Sequence, residues 1–450
     1  MFSIVVATDL NNGIGKNGRI PWKCAHDMAH FRRTTSQADD NIVIMGRATW
    51  DSLPRKPLPK RRNIIISSRA MPDLVPNCVH VFSPEEAVRV AAEYPAARAW
   101  IIGGASIYRW FLERELVHEI FQTCIRVDGE CDRFFPEIDS RFIETENVNL
   151  CECASMRRFA WRNEEEQRLL DAINEILLRG APSDDRTGTG TLRQFGRRFE
   201  FSLEKGAFPL MTSKPQPFRW IFEELMWILR GNTSVRDLQE KGVSVWDSNA
   251  TADFVARQKL QIPLAAGELG PTYGFQMRHF GAQYPARAGG TDQLSGLIDS
   301  IRAEPESRRL ILSLWNPQDL RKTALPPCLL FYQFYVEDGH LSCQFMNRSS
   351  DIAVAGGWNV CTAALLTIIL AAATGLKPKR LVWITGDTHI YRNNLEAARE
   401  LGARTPTLYP RLQLLRPLAT LDDILSLDAA DFWLFNYNPQ RAPSLKFQIN

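Results

Sequence analysis

The chain has 450 residues, enough for two or three domains that each bury their own core. Its composition, 45% hydrophobic and 23% charged, is that of a globular protein, and a net charge of +3 argues against bulk nucleic-acid binding. The nine cysteines are scattered and form no C-x-x-C pair, which points to a reducing compartment without a disulfide framework or a zinc site.

The opening MFSIVVATDL has no basic n-region and too short an apolar run for a signal peptide. The longest uncharged stretch, Asn359 to Leu376, contains threonines and is short for a membrane span, so a buried core helix is predicted. The expectation is a cytoplasmic protein with neither membrane nor nucleic acid as a partner.

From the N-terminus, short apolar runs alternate with helical segments. SIVVA (3–7), NIVIM (41–45), NIIISS (63–68), CVHVF (78–82) and AWIIGG (99–104) read as strands. HDMAHFRRTT (26–35), PEEAVRVAAEY (84–94) and ASIYRWFLE (105–113) read as helices. This alternation predicts an open, doubly wound, largely parallel α/β sheet with ligands at the strands' carboxyl ends. At Gly103-Gly104 a strand meets a helix N-terminus, where backbone can approach a pyrophosphate. Arg47, Ser67, Ser68 and Arg69 follow other strands and suit a dinucleotide with an extra phosphate. Asp27 opens its helix with Met28 and Phe31 expected to face inward, so its carboxylate borders an apolar cleft. The plainer alternative is an acid interacting with the helix dipole.

NNGIGKNGRIPW, HDMAHFRRTT, IVIMGRATW, PLPKRRNIIISSR and IIGGASIYRWFL occur in an order and spacing that resemble the dihydrofolate reductase family over residues 1–160. The resemblance implies that Asp27 pairs with the pterin edge and promotes ring protonation before hydride arrives. It implies that Thr123 hydrogen-bonds this acid, that Val5 and Phe31 pack on dihydrofolate, and that Arg61 receives the glutamate α-carboxylate. NADPH would run past Ala7, Gly15, Thr49, Gly103, Gly104 and Ser106, with Arg47, Ser67, Ser68 and Arg69 toward its phosphates.

MRRFAW (156–161) reads as a closing strand, and the amphipathic stretch 162–180 follows with an acidic first turn and a terminal glycine. Hardly any linker separates them. RRFEFSL (197–203) reads as a strand preceded by a polar turn holding Arg186. Arg308 and Arg309 precede another strand, and Arg348 stands beside Ser349; these arginines are either surface charge or converge on one phosphate. Cys328, behind two prolines, is either a small buried residue or a thiolate that such cations would favour. Glu224 lies among aromatics and aliphatics where burial would raise its pKa, while Glu223 is expected on the exposed edge.

DRTGTGT, FPLMTSK, FEELMWILRGNT, VWDSN, GELGPTYGFQMRHFGA, RRLILSLWNP, LPPC, NRSSD, GDTHIY and NYNP resemble, in order, the thymidylate synthase family from residue 165 to 450. The resemblance implies that Cys328 adds to C6 of dUMP. Arg186, Arg348 and Ser349 would hold the phosphate, joined by Arg308 and Arg309 from a second subunit, which implies a homodimer through this domain. Asn359 would read the uracil edge, and His389 and Tyr391 the deoxyribose hydroxyl. Glu224 would organise water and proton transfer, while Trp246, Asn249 and Asp351 face 5,10-methylenetetrahydrofolate, Asp351 bordering dUMP as well.

The pattern departs from that family near the nucleophile. Leu329 replaces a histidine, Met346-Asn347 replaces Tyr-Gln, no arginine follows Lys214, and VAGGWN (354–359) replaces LGLPFN, placing Ala355, Gly356, Gly357 and Trp358 beside Asn359. The whole chain resembles the fused reductase–synthase enzymes of protozoa and plants. Two rival readings keep the reductase. In one the second domain is a non-catalytic dimerisation module; in the other it transfers hydroxymethyl to dUMP.

Overall fold

A computed structural model describes residues 2–36, 41–71, 75–94, 97–185 and 188–446. The chain divides into two units, Met1–Asn163 with Phe435–Asn438, and Glu164–Leu434 with Pro439–Asn450.

The first unit runs β1 (Phe2–Thr8), β2 (Gly13–Gly15), α1 (Ala25–Thr35), β3 (Ile42–Gly46), α2 (Arg47–Ser52), β4 (Arg62–Ile66) and β5 (Cys78–Val81). It continues through α3 (Pro84–Ala92), β6 (Ala99–Gly103), α4 (Ala105–Glu113), β7 (Val117–Ile125), β8 (Arg133–Phe134), β9 (Phe142–Cys151) and β10 (Ala154–Trp161). The main sheet has the order β5-β4-β3-β6-β1-β7-β10-β9. The strands from β5 to β7 are parallel, while β10 runs antiparallel to both its neighbours. The predicted runs are parallel strands because they are apolar on both faces: Ile4, Ile42, Val43, Ile44, Ile64 and Ile65 are fully or almost fully buried. Their carboxyl ends, carrying Ala7, Gly46, Ser67 and Gly103, share one edge of the sheet.

Helix α1 corrects one expectation. Met28 is 46% exposed and does not face inward; the buried positions are Asp27, His30, Thr34 and Thr35. Spacings of three and four residues put these polar side chains on one face.

The second unit runs α5 (Glu164–Arg179), β11 (Ala181–Ser183), β12 (Thr191–Ser202), α6 (Phe218–Leu229), α7 (Arg236–Gln239), α8 (Ala252–Arg257) and α9 (Tyr273–His279). After α10 (Gln293–Ala303) come β13 (Ile311–Ser313), β14 (Leu329–Glu337), β15 (His340–Asp351), α11 (Gly356–Ala373) and β16 (Lys377–Tyr391). The sheet order is β11-β12-β16-β15-β14-β13, with β15 and β16 the parallel pair. The strand expected at 197–203 begins already at Thr191, because Thr191 through Ser202 pair with β16. Helix α11 is long and apolar enough to cross a membrane, yet 83% of that stretch is buried within the unit, as a core helix requires. Its first turn lies close to another segment: a Cβ on Gly357 would fall 2.6 Å from Met211 Sδ and 2.7 Å from Gln216 Nε2, so a side chain there would have to displace both.

Candidate active sites

In the first unit Asp27 is buried and hydrogen-bonded by Thr123, which sits opposite Ala7 in the β1–β7 register. Burial raises the Asp27 pKa above the ordinary carboxylate value, and the Thr123 hydrogen bond opposes this. Tyr108, missed in the sequence, donates to the Val5 carbonyl at 3.2 Å. Its own pKa is raised, first by burial and then by the charge of Asp27. Phe31 packs against the cluster of Val5, Val43, Met45, Trp50, Ile65 and Trp100. Arg61 is buried, with its guanidinium 5.9 Å from the Phe31 ring. It donates from Nη1 to Thr35 Oγ1 at 2.6 Å and from Nε to the Pro59 carbonyl at 3.0 Å.

The turns after β3 and β6 meet closely. A Cβ on Gly103 would fall 2.7 Å from Thr49 Oγ1, so a side chain there is excluded and the φ of +144° is one glycine tolerates. Gly104 and the exposed Ser106 begin α4, and Gly15 ends β2. Ser68 and Arg69 are exposed at the end of β4, and Arg47 is exposed with its Nε 2.9 Å from Asp51. The Ser67 hydroxyl is engaged locally. It is buried, donating to the Arg69 carbonyl at 2.8 Å and accepting from the Arg69 N–H at 3.1 Å, which closes a local turn.

In the second unit Cys328 immediately precedes β14, and its N–H donates to Tyr273 Oη at 2.9 Å. Tyr273, also missed in the sequence, is buried and therefore holds its phenolic proton more tightly than usual. Arg348 binds the loop in front of the thiol, donating from Nε to the Pro327 carbonyl at 2.8 Å and from Nη2 to the Pro326 carbonyl at 3.1 Å. The same Nη2 lies 3.9 Å from Cys328 Sγ. Ser349 follows, half-buried. Arg308 and Arg309 are exposed and make no hydrogen bond or ion pair to Cys328 or Arg348 among the described residues, so one chain does not gather all the predicted cations. Arg186 lies outside the described residues.

The parallel pairing of β15 and β16 sets Ser349 beside Asp387 and Asp351 beside His389. His389 Nδ1 is 2.9 Å from Asp387 Oδ1, and the Tyr391 ring stands edge-on to the imidazole at 5.2 Å. Asp351 Oδ1 accepts from the N–H groups of Ala353 and Val354, at 3.1 and 3.2 Å. Burial raises its pKa, against the charges of His389 and Lys214. Lys214 donates to the carbonyls of Ala353 and Val354 at 2.5 and 2.9 Å, and burial pulls its pKa down to about 8. These contacts fix the turn that leads to Asn359 in the first turn of α11.

Glu224 is buried on α6, and burial raises its pKa. Trp246 Nε1 donates to its Oε1 at 2.7 Å and Trp358 Nε1 to its Oε2 at 2.5 Å, both favouring the carboxylate. Trp358, one of the residues that depart from the family pattern, is thus a direct partner of the acid. Asn249 is buried in the turn after Trp246. Glu223, expected at an exposed edge, is also buried and is ion-paired to Lys241. Leu329 pairs with Asn347 across β14 and β15. Asn347 Oδ1 accepts from Trp383 at 2.9 Å, but its Nδ2 is buried without a partner among the described residues.

A further grouping was not singled out in the sequence. Cys24, His26 and Cys151 place their ligand atoms within 4.8 Å of one another in the first unit.

A largely parallel sheet with a buried acid on the helix α1 beside it, and a second sheet bearing an arginine-flanked thiol, define an enzyme with two catalytic domains. The dihydrofolate reductase family model matches residues 1–157, and the thymidylate synthase family model matches residues 167–449. A bifunctional dihydrofolate reductase-thymidylate synthase of Zea mays is 36% identical, covering 100% of this chain and 97% of its own length. Enzymes of the same name from Paramecium tetraurelia and Leishmania amazonensis are 36% and 35% identical, each covering 100% of this chain, with 99% and 95% of their own lengths matched. The chain belongs to the bifunctional dihydrofolate reductase–thymidylate synthase family.

Proposed function

We propose that residues 1–160 reduce dihydrofolate with NADPH and that residues 165–450 methylate dUMP, using 5,10-methylenetetrahydrofolate as carbon donor and reductant. The second reaction releases dihydrofolate, which the first returns to tetrahydrofolate. In the reductase, Asp27 bears on pterin protonation, with its raised pKa keeping the proton available at higher pH than an ordinary carboxylate would. Arg61 Nη2 makes no hydrogen bond among the described residues and would receive a substrate carboxylate. Thr49, Gly103, Gly104, Ser106 and Ala7 line the path assigned to NADPH, with Arg47, Ser68 and Arg69 toward its phosphates. The closed turn of Ser67 argues against a phosphate contact from its hydroxyl.

In the synthase, the Cys328 thiolate attacks C6 of dUMP while Arg348, Ser349 and Arg186 hold the phosphate. Arg308 and Arg309 complete that site from the second subunit of a homodimer, which accounts for their exposure in one chain. Asn359 reads uracil, His389 and Tyr391 the deoxyribose, and Trp246, Asn249 and Asp351 face the folate. Glu224 manages water and proton transfer under its two indole donors.

The observation that carries the synthase reading is the Cys328 loop: Tyr273 and Arg348 hold its backbone, with one guanidinium 3.9 Å from the sulfur. A dimerisation module has no need of this arrangement. Mass spectrometry after incubation with 5-fluoro-dUMP and methylenetetrahydrofolate tests it. Fluorine cannot leave as a cation, so a covalent adduct on Cys328 is expected and on no other cysteine. Binding of dUMP without an adduct would return the dimerisation-module reading to first place.

A further inference from the structure

We propose that Cys24, His26, Cys151 and Cys153 form a binding site for one zinc-class divalent cation in the reductase domain. Cys24 caps the N-terminus of α1, and His26 lies in its first turn. Cys151 ends β9, and Cys153 stands in the two-residue turn before β10. Folding thus brings two distant segments together with their ligand atoms converging. Cys24, His26 and Cys151 lie mutually within 4.8 Å, and Cys153 Sγ is 3.0 Å from Cys151 Sγ. Tetrahedral zinc with bonds of about 2.0–2.3 Å holds its ligand atoms roughly 3.3–3.8 Å apart, a spacing near that of Cys24, His26 and Cys151, with Cys153 turning in from beside Cys151 as the fourth ligand.

The donor set fits this class of ion. Thiolates with an imidazole favour zinc over calcium or magnesium, which require oxygen ligands. One side of the group is dry: Cys24 is buried with Ile125 and Ala154, and Trp22, Leu150 and Cys151 pack against them. The other side is open, because His26 and Cys153 are exposed and give the ion an entry path. The Asp27 N–H donates to Cys24 Sγ at 3.4 Å, an outer contact that orients the sulfur. On binding, each ligating thiol releases its proton to solvent and nothing is oxidised or reduced. The bound ion would tie the start of α1 to the β9–β10 turn.

The test uses the full chain, purified in a non-chelating reductant, stripped by a chelator and titrated with zinc chloride against a chromophoric competitor. One zinc per chain is expected. Cobalt substituted for it should give thiolate-to-metal charge-transfer bands and the intense visible bands of tetrahedral geometry. Cys24→Ser and His26→Ala should each weaken binding by at least about a hundredfold, while Cys78→Ser binds as the parent does. Cys153→Ser should reduce the charge-transfer intensity, since one thiolate is lost. If Cys24→Ser does not fold, His26→Ala, at an exposed position, decides the point. The proposal is overturned if the reduced protein takes up no zinc, or if the Cys24→Ser/Cys151→Ser double variant still takes one equivalent. It is also overturned if peptide mapping finds Cys151 and Cys153 joined as a disulfide in reducing buffer.

Discussion

Replacing Trp358 with phenylalanine restores the residue type usual in this family and isolates one hydrogen bond. The indole donates to Glu224 Oε2 at 2.5 Å, while Trp246 holds the other oxygen at 2.7 Å. A hydrogen bond to a charged group contributes about 1.5–3 kcal/mol, and the phenyl ring keeps most of the packing but none of the donor. Burial already pushes Glu224 toward its neutral form, and the indoles push back. Losing one of them therefore moves Glu224 further toward the acid. With the carboxylate as the working form, the acid limb of the synthase rate moves to higher pH, because the lost donor favoured the charged form. Absorbance measurement of dihydrofolate formation from dUMP and methylenetetrahydrofolate, repeated across pH, reads this directly. The loss in Trp358→Phe should be larger at pH 6 than at pH 8, and the reductase rate of the same preparation should not change. An unmoved acid limb, or one displaced to lower pH, refutes the role given to this contact.

Leu329→His should raise synthase turnover and thermal stability, because it gives Asn347 Nδ2, without a partner among the described residues, an acceptor across the strand pair, by about 1 kcal/mol. A fall in both turnover and melting temperature would show instead that the pocket has closed around leucine. Asp27→Asn should leave NADPH binding intact and lower hydride transfer at pH 7 by orders of magnitude, on the order of a hundredfold or more. The loss should shrink at low pH, where solvent protonates dihydrofolate before it binds; single-turnover rates at two pH values decide this, and an unchanged rate at pH 7 removes Asp27 from the role. Mixing Cys328→Ala chains with Arg308→Ala chains should restore part of the synthase activity, since one hybrid site escapes both lesions. Subunit exchange without recovery would argue against a shared phosphate site.

Strands β1, β3, β4 and β6 were legible because each is a short apolar run, buried on both faces and stopped by glycine, serine or a helix signal, whereas β7 and β9 went unread because they mix polar residues into the run. The nucleophile loop was legible because its residues are consecutive in sequence. The orientation of α1 was not: Met28 outweighs Thr34 in any hydrophobic pattern, yet the helix buries a polar face around Asp27. Glu223 misled in the same way, since its partner Lys241 lies outside α6 and outside any local pattern. Tyr273 lay in plain view within PTYGF, but its bond to the Cys328 N–H joins segments whose proximity only the fold reveals. The same is true of the Cys24 and Cys151 sulfurs. No spacing rule relates ligands contributed by a helix cap and a distant hairpin.

The parallel pairing of β15 with β16 has a consequence for the order of folding. Parallel neighbours require a crossover, and here it is α11, which carries Trp358 and Asn359 between Arg348 on one strand and His389 on the other. Such non-local pairing closes slowly, because the chain loses loop entropy before the contacts form. The groups assigned to phosphate, base and sugar would then come into register together, when this crossover docks. In refolding experiments, helical signal should return before the capacity to bind dUMP; simultaneous recovery would contradict this order. Nucleotide binding thus becomes a readout of the last long-range step in assembling the domain.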